Sequence, residues 1–204
     1  MKKFELTTES ITNEAGKKLF RIKALIDFGD VKAGELGGYV EKEENISQDG
    51  NAWVSDDARV YGDARVSGNA WVSGNAWVYG DARVSGNAWV SGNAWVSDDA
   101  RVYGDARVSG DAWVSGNARV SGDAWVSGNA DYALVQGFGT EFRCTTFYRG
   151  KNKKIMVNCG CFHGDLEGFR KQVKETRNGK IAKEYLMIAD LMEYHFTSED
   201  SSNE

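Results

Sequence analysis

A pattern of apolar and polar residues with a period of six runs without interruption from Asn51 to Gly128. Each of the thirteen consecutive hexads reads Asn or Asp, Ala, Trp or Arg, Val, Ser or Tyr, Gly or Asp. Ala-X-Val is a minimal strand whose side chains alternate, so Ala and Val point inward and X points outward. The Ser-Gly-Asn that follows is turn chemistry, because Gly accepts a positive φ and Asn bonds its own backbone. A short strand and a tight corner every six residues predict a solenoid of stacked parallel strands.

Three hexads per coil would place residues 18 apart on one face, and the outward residues then sort by type. The first face carries Trp53, Trp71, Trp89, Arg107 and Trp125, and the second carries Arg59, Trp77, Trp95 and Trp113. The third face, here called the arginine face, carries Arg65, Arg83, Arg101 and Arg119. The triangular coil follows from the strand and corner of the hexad alone, so the sorting of the outward residues by type is independent support for it.

The hexads resemble those of the hexapeptide-repeat left-handed β-helix family. The resemblance rests on the aliphatic position (Val54, Val60, Val66) and on the small residue four positions later (Ala58, Ala64, Ala70). It implies an all-β solenoid, a left-handed parallel β-helix with three hexads per coil. Ser or Tyr after the aliphatic position is a mild departure from the family pattern.

The segments outside the regular hexads predict the ends of the solenoid. Apolar and polar residues alternate on both sides of a turn at 13–16, which predicts an N-terminal β-hairpin cap in residues 1–30. Residues 31–136 are assigned to the β-helix, with degenerate coils in 31–50. Residues 137–196 predict a ββαα unit, whose hairpin turns at 149–153 and pairs Tyr148 with Ile155. Asp165 is the expected cap of the first helix. The second helix is expected to bury Ile181, Tyr185, Ile188, Leu191 and Met192, and 197–204 to be a disordered acidic tail.

The stretch Phe20–Ser47 and the C-terminal unit look like those of uncharacterised hexapeptide-repeat proteins of bacteriophages and prophages. That resemblance implies an accessory protein acting in the cytoplasm of a bacterial host cell, possible targets being host proteins such as components of bacterial immunity. It implies no known chemistry.

Charge and apolar content limit the classes of function. The net charge is −5, and no segment is a strongly basic footprint of the kind that binds nucleic acid. No apolar run is long enough to span a bilayer, and no apolar stretch follows the N-terminal lysines to make a secretory signal. A DNA mimic is an alternative that would use aspartates of the repeats, but interleaved arginines weaken its negative field. Those aspartates are Asp57, Asp63, Asp81, Asp99, Asp105 and Asp111.

The outward tryptophans and arginines are the candidate binding residues. Two stripes of exposed Trp exceed the apolar patch that monomers usually show, and Trp and Arg anchor protein interfaces. The prediction is therefore a non-enzymatic protein, without a cofactor, that presents all seven tryptophans and the four residues of the arginine face to a host protein. Alternatives for the stripes are ladder stacking, a homo-oligomer, a carbohydrate platform and a self-assembling scaffold. On the arginine face, the alternatives are an anion site and a ladder neutralised by aspartates two residues earlier.

Two chemical alternatives need separate consideration. Acyltransferases of the hexapeptide family use a catalytic His and a protruding loop, whereas these repeats contain neither, so acyl transfer is disfavoured. Alternation in the C-terminal unit would gather Cys144, Cys159, Cys161 and His163 on one face, a set of zinc-ligand types. Because the C-x-C-x-H spacing is unusual and apolar residues share that face, buried free cysteines are the favoured interpretation.

Overall fold

The computed structural model describes residues 2–197 and shows a β-solenoid of about five turns. Each hexad contributes a two-residue strand made of its outward residue and the following Val. These strands are Trp53–Val54 (β4), Arg59–Val60 (β5), Arg65–Val66 (β6), Trp71–Val72 (β7), Trp77–Val78 (β8), Arg83–Val84 (β9), Trp89–Val90 (β10), Trp95–Val96 (β11), Arg101–Val102 (β12), Arg107–Val108 (β13), Trp113–Val114 (β14), Arg119–Val120 (β15) and Trp125–Val126 (β16).

The solenoid strands form three parallel sheets, which confirms the coil of three hexads. The first face is the sheet β4-β7-β10-β13-β16, and the arginine face is the sheet β6-β9-β12-β15. Trp71 pairs with both Trp53 and Trp89, 18 residues away in each direction. The inner Ala and Val residues of the hexads are at most 2% exposed. The small interior is thus filled as the alternation of the hexad predicted.

Glycine makes the corners possible. Gly62, Gly86 and Gly104 have φ values of +71°, +71° and +72°, in the left-handed region that other residues avoid. Asp56 and Asp98 replace this glycine in two hexads, both with φ of 56°. Their Oδ2 atoms accept hydrogen bonds from the backbone N–H 18 residues further on, at 2.9 Å. This extra bond offsets part of the strain of a side chain at positive φ.

Amide ladders tie successive corners together. The Nδ2 of one Asn donates to the side-chain oxygen of the residue 18 positions later, at 2.9–3.2 Å. One ladder is Asn51, Asn69, Asn87 and Asp105, and the other is Asn75, Asn93 and Asp111. Each ladder ends in Asp, which can accept but not pass on the bond.

The N-terminal hairpin continues the second face. Strands Phe4–Thr12 (β1) and Lys18–Ala24 (β2) pair antiparallel, and β2 pairs antiparallel with Leu36–Val40 (β3). Strand β3 then pairs parallel with β5, which gives the sheet order β1-β2-β3-β5-β8-β11-β14. The hairpin therefore covers the first edge of the second face by hydrogen bonding. A parallel bridge between Ile46 and Val66 joins the segment before the regular hexads to β6.

The C-terminal unit has four strands rather than the two expected. Strands Tyr132–Val135 (β17), Thr145–Arg149 (β18), Ile155–Cys159 (β19) and Phe162–Asp165 (β20) form an antiparallel sheet in chain order. Helices Leu166–Thr176 (α1) and Gly179–Thr197 (α2) pack on this sheet. Residues 132–135, assigned from sequence to the β-helix, are thus the first strand of the C-terminal sheet. Two short 3-10 helices, Glu43–Asn45 and Asn129–Asp131, flank the regular hexads.

The predicted register of the C-terminal hairpin is wrong by one residue. Tyr148 pairs with Met156 rather than Ile155, because the turn closes through the Gly150 N–H and the Lys154 carbonyl. A shift of one residue turns every side chain to the opposite face. Tyr148 consequently packs against the solenoid core, whereas Phe147 and Val157 face the helices.

The helices follow the sequence prediction with one exception. Asp165 caps α1, since its side chain accepts from the Gly168 N–H at 2.9 Å. Helix α2 buries Tyr185, Ile188 and Met192, but Leu191 is 58% exposed and was wrongly placed in the core. The remainder of the predicted tail, 198–204, lies outside the described residues. In 2–197, no helix has the length and apolarity needed to cross a membrane.

Candidate interaction surfaces

The second face carries an ordered group of aromatic side chains, here called the aromatic cluster. It consists of five aromatic residues, Tyr61, Trp77, Tyr79, Trp95 and Trp113, and of Arg59, which packs on one of these rings. Trp77 and Trp95 stack with centroids 5.0 Å apart and planes 5° apart, because their strands are in parallel register. The Arg59 guanidinium lies 4.9 Å from the centroid of the Trp77 ring. Stacking in register holds these rings in one orientation.

Two tyrosines widen the aromatic cluster at the corner beside the strands. Tyr61 and Tyr79 stack with a centroid distance of 5.2 Å, and each meets a tryptophan edge-on at 6.4 Å. Burial raises the pKa of Tyr61 to about 12, so its hydroxyl is a neutral hydrogen-bonding group. Tyr61 and Tyr79 were not among the binding residues predicted from the sequence. Their spacing of 18 residues was the signal that they stack with each other.

The first face is divided into a buried and an exposed part. Trp53 is fully buried (0% exposed) beneath Phe4 and Phe28 of the N-terminal segment, and Trp71 is half-buried. Trp53 therefore cannot contact a partner, contrary to the sequence prediction, because the N-terminal segment folds over it. Trp89 and Trp125 are each 45% exposed, with Arg107 between them at 5.8 Å and 5.9 Å.

The arginine face is not neutralised in the way the sequence suggested. Within 2–197, none of Arg65, Arg83, Arg101 and Arg119 has a carboxylate oxygen within 4.0 Å. Asp63, expected to pair with Arg65, instead pairs with Lys42 at 2.7 Å. The alternation argument failed because a corner separates Asp63 from the strand, so extended geometry does not hold there.

The four candidate zinc ligands are separated by the fold. Gly160, with φ of 61°, turns the chain after Cys159, so the strand does not continue to His163. Cys159 packs with the core beneath the helices, whereas His163 pairs across β19 with Asn158. In the described residues, no three side chains of His, Cys, Asp or Glu come together in a way that could hold a metal ion. The four side chains therefore do not share one face, and the favoured interpretation of buried cysteines is wrong in part, because Cys144 and Cys159 are only half-buried and Cys161 is exposed.

His163 instead belongs to a polar junction between the C-terminal sheet and the last coil. Asn158 Nδ2 donates to the Arg119 carbonyl at 2.7 Å and to Ser121 Oγ at 3.0 Å. Asn158 Oδ1 then faces His163 Nδ1 at 2.7 Å, which requires the proton on Nδ1. Tyr148 also meets Ser121, at 3.4 Å. These residues join the two parts of the chain, and sequence reasoning missed them because the junction depends on tertiary packing.

The fold and the hexads define the class of protein as a hexapeptide-type β-solenoid. A family model described as the YdcK beta solenoid repeat matches in overlapping segments that span 58–98 and 100–128. The "Uncharacterized acetyltransferase YdcK" of Escherichia coli (strain K12) is 37% identical over 75 residues. This match covers 33% of the present chain and 23% of the E. coli protein. The family model thus matches within the repeats, and the match to the E. coli protein leaves most of both chains uncovered.

Proposed function

We propose that the protein is a non-enzymatic binding protein whose solenoid presents the aromatic cluster to a protein partner. The observation that carries this proposal is the ordered stacking of large aromatic side chains on an open sheet. Rigid aromatic side chains lose little conformational entropy on binding, and Trp, Tyr and Arg are the residues enriched in binding hot spots. Trp113, which is 47% exposed, meets Trp95 edge-on at the end of the row and is the most exposed ring of the cluster.

The exposed part of the first face provides a second contact surface. Trp89 and Trp125 flank Arg107, and this arrangement of a cation between two rings is fixed by the parallel register of their strands. Because Trp53 is buried, it has no part in this surface. The hypothesis that the partner belongs to a bacterial defence system is based only on the resemblance to phage proteins. The geometry of the faces does not favour such a partner over another protein.

The experiment is affinity capture from a bacterial lysate with two matched variants. The test variant replaces Trp77, Trp95 and Trp113 with Ala, and the control replaces Tyr194, a 72% exposed aromatic residue of α2. We expect a partner that binds the wild type and the control equally. Loss of a hot-spot residue typically weakens binding by about 30-fold or more, so the test variant should lose the partner. Capture that survives the three substitutions would contradict the proposal.

Native mass spectrometry of the same eluate separates the remaining alternatives. A homo-oligomer without another protein would favour the self-assembling scaffold. The next substitutions would then test the solvent side of α2 as the contact between copies. Its exposed apolar residues are Met187, Leu191 and Tyr194, which are 58–72% exposed.

Acyl transfer is the second candidate, and the name of the E. coli relative is what favours it. The hexads contain no histidine, and His163 lies in the polar junction, where its Nδ1 is 2.7 Å from Asn158 Oδ1. Saturable binding of acetyl-coenzyme A, followed by transfer of the acetyl group to an amine acceptor, would support the enzyme. Calorimetric titration with acetyl-coenzyme A tests this directly, and we expect no saturable heat.

A further inference from the structure

The arginine face ends in a cleft against the C-terminal unit, here called the arginine cleft. It has a volume of about 300 Å³ and lies between the last strands of the arginine face and the loop that joins β17 to β18. Its polar lining consists mainly of Arg101, Arg119, Arg143, Asn117, Gln136 and Asp99. Two of the arginines come from the solenoid and the third from the C-terminal unit, so the cleft exists only in the folded chain.

The arginine cleft concentrates positive charge on an acidic protein. Three arginines and one aspartate in its lining give a net charge of +2, while the whole chain carries −5. Arg143 has Glu141 at 3.8 Å, but both side chains are more than half exposed, which makes this a weak pair. Arg101 and Arg119 have no carboxylate oxygen within 4.0 Å in the described part of the chain. The three guanidinium groups are therefore available to an anion.

The other end of the arginine face provides a natural comparison. There, a groove of about 650 Å³ is lined by Arg65 and Arg83 together with Glu43 and Glu44. Two arginines and two glutamates leave this groove with no net charge. The two ends share the same strand register and the same kind of exposed arginine. Among the lining residues, only those of the C-terminal end have a surplus of positive charge, although Glu43 of the other groove is also paired with Lys2 at 2.6 Å.

The backbone holds the arginines of the cleft in place before a ligand arrives. Arg101 and Arg119 are paired in register on β12 and β15, at a strand separation of about 4.8 Å. The Arg119 N–H donates to Thr146 Oγ1 at 2.9 Å, and its carbonyl accepts from Asn158. Guanidinium groups bind phosphate oxygens through two parallel hydrogen bonds, and amides such as Asn117 and Gln136 supply further donors.

We propose that the arginine cleft binds the phosphate group of a small-molecule ligand. A phosphate monoester carries a charge of about −1.5 to −2 at neutral pH, which is close in size and opposite in sign to the net charge of the residues that line the cleft. The restricted volume and the acidic character of the rest of the chain favour a small phosphate compound over a nucleic acid. This site is distinct from the aromatic cluster, so it stands or falls independently of the proposed protein partner.

Calorimetric titration with inorganic phosphate at constant ionic strength tests the proposal. The test variant is Arg101→Gln with Arg119→Gln, and the control is Arg65→Gln with Arg83→Gln, which removes the same charge from the neutral groove. Loss of charge-assisted hydrogen bonds predicts a dissociation constant raised at least about tenfold in the test variant. The control should change it less than about twofold, because screening weakens distant charges.

Equal weakening by both variants would overturn the proposal, since it would mean diffuse attraction along the arginine face. Absence of saturable binding to the wild-type protein would overturn it as well. Thermal unfolding of each variant verifies that the solenoid is intact.

Cys144 supplies a second readout because it lines the arginine cleft. In a protein with Cys159→Ser and Cys161→Ser, alkylation of Cys144 by iodoacetamide should slow severalfold at saturating inorganic phosphate. The same slowing by sodium chloride of equal ionic strength would contradict a specific site.

Discussion

Replacement of Gly86 by Ala is expected to destabilise the solenoid far more than replacement of Gly16, although both glycines have a left-handed φ. The φ values are +71° at Gly86 and +75° at Gly16, so the cost of a side chain at positive φ, about 1–2 kcal/mol, is common to both. A Cβ at Gly86 would lie 2.8 Å from the Gly104 nitrogen and 3.0 Å from its oxygen. A Cβ at Gly16 would meet nothing within 4 Å.

The additional cost at Gly86 comes from the backbone of the next coil, which cannot rotate away as a side chain could. Overpacking of this kind typically costs about 1–3 kcal/mol. We therefore expect a loss of about 3 kcal/mol in the free energy of unfolding for Gly86→Ala and about 1 kcal/mol for Gly16→Ala. Urea denaturation followed by tryptophan fluorescence measures both.

The natural exceptions Asp56 and Asp98 suggest a third variant. Asp at position 86 would meet the same backbone atoms, but its carboxylate could accept from the Gly104 N–H as Asp98 does from Gly116. One such bond contributes about 1 kcal/mol, so Gly86→Asp should be less destabilising than Gly86→Ala. Equal losses for Gly86→Ala and Gly16→Ala would refute the close stacking of corners as the source of the effect.

Three further predictions concern buried and paired side chains. Trp53→Ala should lower the free energy of unfolding by about 3–5 kcal/mol, whereas Trp125→Ala, at an exposed position, should change it by less than about 1 kcal/mol in the same urea assay. Burial lowers the pKa of Lys3 to about 8, below its ordinary 10.5, so the unfolded chain holds the proton longer as the pH rises. The stability of the wild type relative to Lys3→Met should thus increase between about pH 8 and 10.5, and a decrease over that range would contradict the burial of the charge. Arg170, whose side chain is 13% exposed, pairs with Glu167 of α1 and with Asp190 and Glu193 of α2. Arg170→Ala should cost about 1–3 kcal/mol in thermal unfolding, since it breaks charged hydrogen bonds of a largely buried side chain, and the difference should shrink in 1 M salt.

The solenoid itself was determined by the sequence. The hexad contains its own strand, corner and inner residues, and residues 18 apart sort into faces without information from other segments. Local rules suffice where each coil contacts mainly its neighbours, because every coil then repeats the same environment. The hairpin β1–β2 and the cap of α1 at Asp165 were also predictable, since turn and capping signals act within a few residues.

Tertiary structure decided what the faces present to a partner. Trp53 and Trp89 occupy the same hexad position, yet the N-terminal segment covers Trp53 and leaves Trp89 exposed. The register of the C-terminal hairpin likewise depended on where its turn closes, and the shift of one residue placed Tyr148 against the solenoid. A second turn, at Gly160, separated Cys159 from His163. The arginine cleft joins Arg101 and Arg119 to Arg143 from another part of the chain. Local periodicity carries no information about such contacts, because they depend on how separate segments pack against each other.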